Sequence, residues 1–145
     1  MRSPAFTLVE LVIVIALIGI FALAIGTALV TARDNQALVT SAETLADHLR
    51  EAHIFARNAR DGTAWGIRNL TSTSYALVSG TDASWHTEKV YMLDRQVTFT
   101  SNFAVWFTIG TGTSLVAHTI ELINTHGRTM HVEVLESGVV DVVAL

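Results

Sequence analysis

The sequence predicts an α+β fold in which one long N-terminal helix packs on an antiparallel β-sheet. Three observations predict it. An uncharged apolar run fills residues 11–30, an apolar stripe with helical spacing follows it, and the pattern changes to strand-like alternation after Gly62. A chain of 145 residues accommodates one such domain with an extension.

The apolar run is long enough to cross a membrane as a helix. Residues 11–30 carry no charge, and twenty residues that each rise about 1.5 Å span roughly 30 Å of bilayer hydrocarbon. A secretory signal peptide has a shorter apolar core, so it fits less well. Glu10 directly precedes the run. A carboxylate is costly in hydrocarbon, so Glu10 requires either a positively charged partner or a place at the headgroup boundary.

A second, amphipathic helical segment follows the apolar run. Seven apolar residues are spaced alternately four and three positions apart, which places them on one face of a helix. The stripe consists of Leu38, Ala42, Leu45, Leu49, Ala52, Ala56 and Ala59. The Asp61-Gly62 pair predicts the end of this helix, because glycine is common just past helix C-termini.

After Gly62 the apolar and polar residues alternate, which predicts β-strands. Strands around Trp65 and Tyr75 flank a polar loop at residues 69–74. Short turns at His126-Gly127 and Ser137-Gly138 predict that the last three strands form a meander of hairpins. The further predicted strands are residues 90–93, 97–100, 104–108, 119–123, 129–135 and 139–143.

Composition argues against several classes of function. The chain has no cysteine, which removes disulfides, thiolate metal sites and cysteine nucleophiles. The formal net charge is −4 and Lys89 is the single lysine, so nucleic-acid binding is disfavoured. A folded patch of Arg50, Arg57, Arg60 and Arg68 remains open. No phosphate-binding loop, nucleophile elbow or HExxH motif is present, so we expect neither enzymatic activity nor a cofactor.

Six histidines raise the question of a metal site. His48 and His53 are five residues apart, so on a helix they point about 140° away from each other and cannot share an ion. His118, His126 and His131 lie in or beside neighbouring predicted strands, without an Asp or Glu at ligand spacing. We therefore expect solvated or edge-strand histidines and no metal site.

The stretch AFTLVE at residues 5–10, followed by LVIVIALIGI, closely resembles the signal of type IV prepilins. The resemblance implies that a prepilin peptidase cleaves a short cationic leader between Ala5 and Phe6. It also implies N-methylation of Phe6 and a role for Glu10 in assembly. The residue before the cut is most often glycine in that family, whereas this chain has Ala5, and its leader carries one basic residue, Arg2.

The prepilin resemblance implies a structural subunit of a type IV pilus or pseudopilus. It divides the chain into a cleaved leader (1–5), a transmembrane and polymerisation helix (6–30), an amphipathic helix half (31–61) and an antiparallel β domain (62–145). The implied partners are other pilins, the peptidase and methyltransferase, and an assembly platform in the inner membrane. The globular part, through LREAHIFARNARDGTAWGI and EVLESGVVDV, resembles more loosely the GspH/FimT-type minor pseudopilins.

Cleavage would create a cationic amine on Phe6, one helical turn before Glu10 and on the same face. Opposite charges at about 4 Å attract far more in a low-dielectric site than in water, so this pair can set the register between subunits. Two alternatives remain: a minor tip subunit that binds DNA or another ligand, and a non-polymerising membrane-anchored binding domain. We expect a single-pass cytoplasmic-membrane protein with its C-terminal domain outside, which then enters a periplasmic or cell-surface filament.

Overall fold

The computed structural model describes residues 7–144, without the side chains of residues 22–25 and 27. Helix α1 spans Leu8–Arg57 and is followed by a short 3₁₀ turn at Arg60–Gly62. The remaining described elements are the strands β1 (Ala64–Thr71), β2 (Ser74–Thr81), β3 (Ser84–Met92), β4 (Val97–Phe99), β5 (Ala104–Phe107), β6 (His118–Asn124), β7 (Thr129–Val134) and β8 (Val140–Ala144).

The chain divides into two compact units, of which the first ends at Arg33 and the second begins at Asp34. In the first unit, every Leu, Val, Ile and Phe side chain of residues 8–21 is exposed, from 40% for Val14 to 78% for Leu8. Successive residues of a helix are about 100° apart, so these apolar side chains surround it on all sides. None of the helices in the part of the chain that the structure describes is long and apolar enough to span a membrane.

In the second unit, α1 buries the predicted apolar stripe. Leu38, Ala42, Leu45, Leu49, Ala52 and Ala56 are all 0% exposed, as is Ala46 beside them. These side chains form one cluster with apolar residues of both sheets, such as Ile67, Phe107, Ile120 and Val132. The prediction of an amphipathic helix half is therefore confirmed for these positions.

Helix α1 ends at Arg57, four residues before the predicted end at Asp61, and the assignment of Ala59 to the stripe is wrong. Ala59 is exposed and has a left-handed conformation, with φ 49°. The carbonyl of Ala56 accepts hydrogen bonds from the N–H groups of Ala59 (3.0 Å) and Gly110 (2.8 Å). A tight turn and a loop thus satisfy the Ala56 carbonyl, which would otherwise lack a partner at the end of α1.

The strands form two four-stranded antiparallel sheets, where the sequence predicted one. The first sheet has the order β3-β2-β1-β5 and the second has the order β4-β6-β7-β8. The division occurs because β4 pairs with β6 and not with the preceding strand β3. The predicted meander of the last three strands is confirmed, since β7 pairs with both β6 and β8.

Strand β3 begins at Ser84, whereas the sequence predicted a strand only at residues 90–93. It is an edge strand, and all of its residues except Trp85 and Tyr91 are exposed. A strand solvated on both faces has no hydrophobic alternation, which explains why the pattern missed it. The predicted loop at residues 69–74 is also shorter, because β1 and β2 extend to within two residues of each other.

Candidate functional site

Glu10 lies in the first turn of α1 and is exposed. Its backbone N–H donates a hydrogen bond to Thr7 Oγ1 (3.3 Å), and the N–H of Leu11 donates to the Thr7 carbonyl (3.2 Å). Thr7 therefore acts as the N-cap of the helix. The Thr-x-x-Glu spacing is that of a capping box, a signal that our sequence analysis missed.

The carboxylate of Glu10 is surrounded by exposed apolar side chains, with Val9 at 66% and Leu11 at 53%. Glu10 makes no ion pair within residues 7–144. A negative charge is favoured at the N-terminus of a helix, where the backbone N–H groups point outward. The carboxylate is therefore stabilised by its own helix and accessible to a cation from another chain.

The two residues of the predicted cleavage site, Ala5 and Phe6, lie outside the described residues. Cleavage between them and methylation of Phe6 stay predictions. The same holds for the ion pair between the Phe6 amine and Glu10. What the structure describes of this site is the acidic residue, its threonine cap and the apolar surface that follows.

Two of the three histidines near the second sheet have carboxylate neighbours, which our sequence analysis did not foresee. His131 Nε2 lies 3.3 Å from Glu121 Oε1, and His126 Nδ1 lies 3.0 Å from Oδ2 of the buried Asp34. Glu121 and His131 are direct cross-strand partners, so the hairpin register could have revealed that pair. No group of three or more potential metal ligands occurs among the residues that the structure describes.

The two helix histidines contact different parts of the first sheet. His48 stacks on Tyr91 with ring centroids 3.7 Å apart, and His53 meets Phe107 edge-on at 5.5 Å. Burial lowers the pKa of both imidazoles, and Arg57 lowers the pKa of His53 further. Both rings therefore act as neutral packing groups near neutral pH.

The arginines considered for a nucleic-acid patch are engaged separately. Arg50 pairs with Asp47 at 2.8 Å and Arg60 with Asp61 at 3.5 Å. Arg68 pairs with Asp82 at 3.4 Å. Each of these three guanidinium groups has its own carboxylate, whereas Arg57, the fourth arginine of that patch, makes no ion pair within the described residues.

The first part of α1 has exposed apolar side chains and a capped, acidic first turn. The later part of the same helix packs on two antiparallel sheets. This combination is the pilin-like α+β architecture that the sequence predicted. Residues 1–26 match the sequence model of the prokaryotic N-terminal methylation motif. The predicted prepilin-type signal is therefore confirmed.

The solved structures similar to this chain include the minor pseudopilin EpsH from the Type 2 Secretion System of Vibrio cholerae. The chains are 14% identical, with a TM-score of 0.58, over 74% of this chain and 96% of EpsH. A second structure of EpsH gives 11% identity and a TM-score of 0.58, over 77% of this chain and 95% of EpsH. A search of curated proteins gives no match. The chain thus has a pseudopilin fold, and the predicted pilin-like α+β architecture is confirmed.

Proposed function

We propose that this chain is a structural subunit of a type IV pilus or a related pseudopilus, assembled through its N-terminal helix. The observation that carries the proposal is the exposed apolar surface of residues 8–21, which lies within the segment that matches the methylation motif, residues 1–26. Monomeric soluble proteins rarely expose apolar patches of this extent, which mark membrane or protein contacts. Lipid would cover this surface before assembly, and the helices of neighbouring subunits would cover it afterwards.

In this proposal a prepilin peptidase cuts between Ala5 and Phe6, and the new amine of Phe6 is methylated. The chain is then a substrate of two enzymatic steps and not itself an enzyme. It inserts once into the cytoplasmic membrane with its second unit outside, and an inner-membrane platform adds it to a filament of the same or other pilins. The match of residues 1–26 to the methylation motif supports the processing step.

Glu10 is the proposed assembly residue. Its carboxylate makes no ion pair within the described residues and lies on an apolar surface that a filament would bury. Burial of an unpaired carboxylate is costly, whereas burial against the cationic amine of a neighbour's Phe6 offsets the cost. The pair would therefore favour one register between subunits over all others.

A role as a minor subunit is favoured over a role as the major subunit by the fold, since both EpsH structures are described as minor pseudopilins. A DNA-binding tip subunit is less well supported, because Arg50, Arg60 and Arg68 are each paired with an aspartate. A non-polymerising membrane anchor would leave Glu10 with its place at the helix N-terminus but with no role in assembly. The assembly experiment below separates that alternative from the proposal.

The first test concerns processing. We expect the assembled chain to begin at Phe6 with a methylated amine, because residues 5–10 resemble the prepilin cleavage signal. Intact-mass spectrometry of material sheared from cells measures this directly. Material that retains Met1 would contradict the proposed processing.

The second test concerns Glu10. We expect Glu10→Ala to insert and to be processed normally, since a charge is removed from an apolar surface. Incorporation into filaments should fall by about a hundredfold or more, because breaking a buried ion pair costs roughly 3–5 kcal/mol. The ratio of this chain in sheared filaments to that in membranes, measured by quantitative mass spectrometry, is the readout.

Two further variants sharpen this test. Glu10→Gln keeps the size and hydrogen bonding of the side chain but not its charge, so it should behave like Glu10→Ala if the pairing is ionic. Glu43→Gln is the matched control, because Glu43 is an exposed carboxylate of the same helix in the second unit. Equal incorporation of the wild type and both Glu10 variants would refute the assembly role.

A further inference from the structure

The imidazole of His53 is held between two glycine turns. Gly112, in the loop after β5, has φ +73°, and Gly138, in the turn between β7 and β8, has φ +84°. A Cβ added at Gly112 would lie 2.6 Å from both Cδ2 and Nε2 of His53, and one added at Gly138 would lie 2.6 Å from Cδ2. Only glycine combines the left-handed backbone with so close an approach. The ring therefore contacts the backbone of both turns.

Further contacts make this a single junction between α1 and the two turns. Ser114 N–H donates to the carbonyl of Glu136 at 3.0 Å, which joins one turn to the other. Gly110 N–H donates to the carbonyl of Ala56 at 2.8 Å, which joins the loop to the helix. Phe107 lies edge-on to the imidazole, with ring centroids 5.5 Å apart. Displacement of His53 would therefore disturb both turns together.

Few charged groups face the imidazole. Arg57, one helical turn further along α1, is the charge that acts on it. The loop of residues 108–117 and strand β5 contain no ionisable side chain, and the turn of residues 135–139 contains only Glu136, which is exposed. Burial, and then Arg57, lower the pKa of His53 below its ordinary value of 6.5. The closed arrangement thus favours the neutral ring.

We propose that His53 is a proton-sensitive latch that holds the two turns closed while neutral and releases them when protonated. The closed arrangement binds a proton on the His53 ring more weakly than the open arrangement does. Protonation must therefore shift the equilibrium toward the open arrangement by the same factor. The latch is fully effective above pH 6.5 and weakens as the pH falls from 6.5 through the lowered pKa of the closed state. For each pKa unit by which the open-state value exceeds the closed-state value, full protonation shifts the equilibrium about tenfold toward the open state.

Release of the two turns would affect the exposed apolar side chains that they carry. Leu115 (86% exposed) and Val116 (54%) lie on the first loop, and Leu135 (48%) and Val139 (55%) lie at the second turn. In the closed arrangement the Ser114–Glu136 hydrogen bond keeps these two pairs beside each other. Acid would therefore loosen a surface that is ordered at neutral pH.

The experiment is hydrogen exchange of the full-length chain in detergent micelles between about pH 8 and pH 5, corrected for intrinsic exchange. We expect protection of residues 108–117 and 135–139 to fall in acid, with a midpoint equal to that of the His53 ring signal in an NMR titration. The β1–β2 turn at residues 72–73 serves as the internal control and should not follow that midpoint. Protection that is unchanged in acid, or that changes at a different pH, would overturn the latch.

Two substitutions test the residue itself. His53→Gln and His53→Phe cannot be protonated, so the acid response of both turns should disappear in whichever variant folds. His86→Phe is the matched control, because His86 is exposed on the edge strand β3, and its response should equal that of the wild type. An acid response that persists in a His53 variant would assign it to another group, such as Glu136, and refute the proposal. If neither variant folds, the coincidence of the two wild-type midpoints decides.

Discussion

At the scale of single residues, His48 shows how the fold neutralises a polar group at the helix–sheet contact. Its Nδ1 lies 2.8 Å from the hydroxyl of Tyr75, and its ring stacks on Tyr91. Burial lowers the pKa of His48 and raises the pKa of Tyr75, so both groups are uncharged at neutral pH. The hydrogen bond between them is therefore neutral and joins α1 to β2.

Removal of this bond should have a measurable cost. We expect Tyr75→Phe to lower the free energy of unfolding by about 1 kcal/mol, because His48 Nδ1 loses its partner in a partly buried site. Urea unfolding followed by tryptophan fluorescence reports it, since Trp65, Trp85 and Trp106 all lie in the second unit. Tyr91→Phe is the control and should change stability by less, because the Tyr91 hydroxyl makes no hydrogen bond within the described residues. Equal effects would show that the hydrogen bond to His48 adds nothing beyond what the unpaired Tyr91 hydroxyl contributes.

At the scale of elements, the two parts of α1 differ in how their apolar side chains are exposed or buried. Its large apolar side chains are exposed on all sides in residues 8–21 but form one buried stripe from Leu38 onward. Burial of that stripe against both sheets is what the hydrophobic effect contributes to the second unit. The exposed face carries mainly polar residues, with Ile54 as an apolar exception at 51% exposure.

Leu49 and Ile54 offer a matched comparison on this helix. Leu49 is 0% exposed, so Leu49→Ala removes buried methyl groups and leaves a cavity, and it should cost about 2–5 kcal/mol. Ile54→Ala removes a similar volume from a half-exposed side chain and should cost less than about 1 kcal/mol. The shift of the urea midpoint for the second unit measures both. A cost for Ile54→Ala as large as that for Leu49→Ala would contradict the stripe as described.

The sequence allowed prediction of those elements whose pattern is local. Helical spacing located six stripe residues, and alternation with short turns located the meander of β6, β7 and β8. Strand β3 was mostly missed because both of its faces are solvated, and the second sheet was missed because β4 pairs across the chain with β6. Glu10 was found from a local motif. The contact of His53 with Gly112 and Gly138 depends on residues more than fifty positions apart, which no local pattern encodes.

At the scale of the whole molecule, the two units differ in where their apolar side chains lie. The first presents a helix with apolar side chains on all sides, whereas the second contains the buried core. The second unit begins at Asp34, whose buried carboxylate is bound by His126, so its first residue is already part of the folded structure. A unit with its own core can fold alone, and association should then depend on the first unit.

Deletion of residues 1–31 should therefore give a soluble, folded monomer, whereas the full chain should require detergent. The deletion keeps Asp34 and the whole buried stripe, and it removes the exposed apolar side chains of residues 8–21 together with Leu29 and Val30. Sedimentation equilibrium without detergent measures the mass, and the urea midpoint from tryptophan fluorescence should match that of the full chain.

Deletion of residues 1–44 is the matched control, because it also removes the buried Leu38 and Ala42 and should prevent cooperative folding. If the first deletion gives a soluble monomer and the second an unfolded chain, the N-terminal boundary of the self-contained domain lies between residues 31 and 44. If the shorter deletion instead gave aggregates or filaments, surfaces of the second unit would drive association, and the proposed division between an assembly helix and a self-contained domain would be wrong.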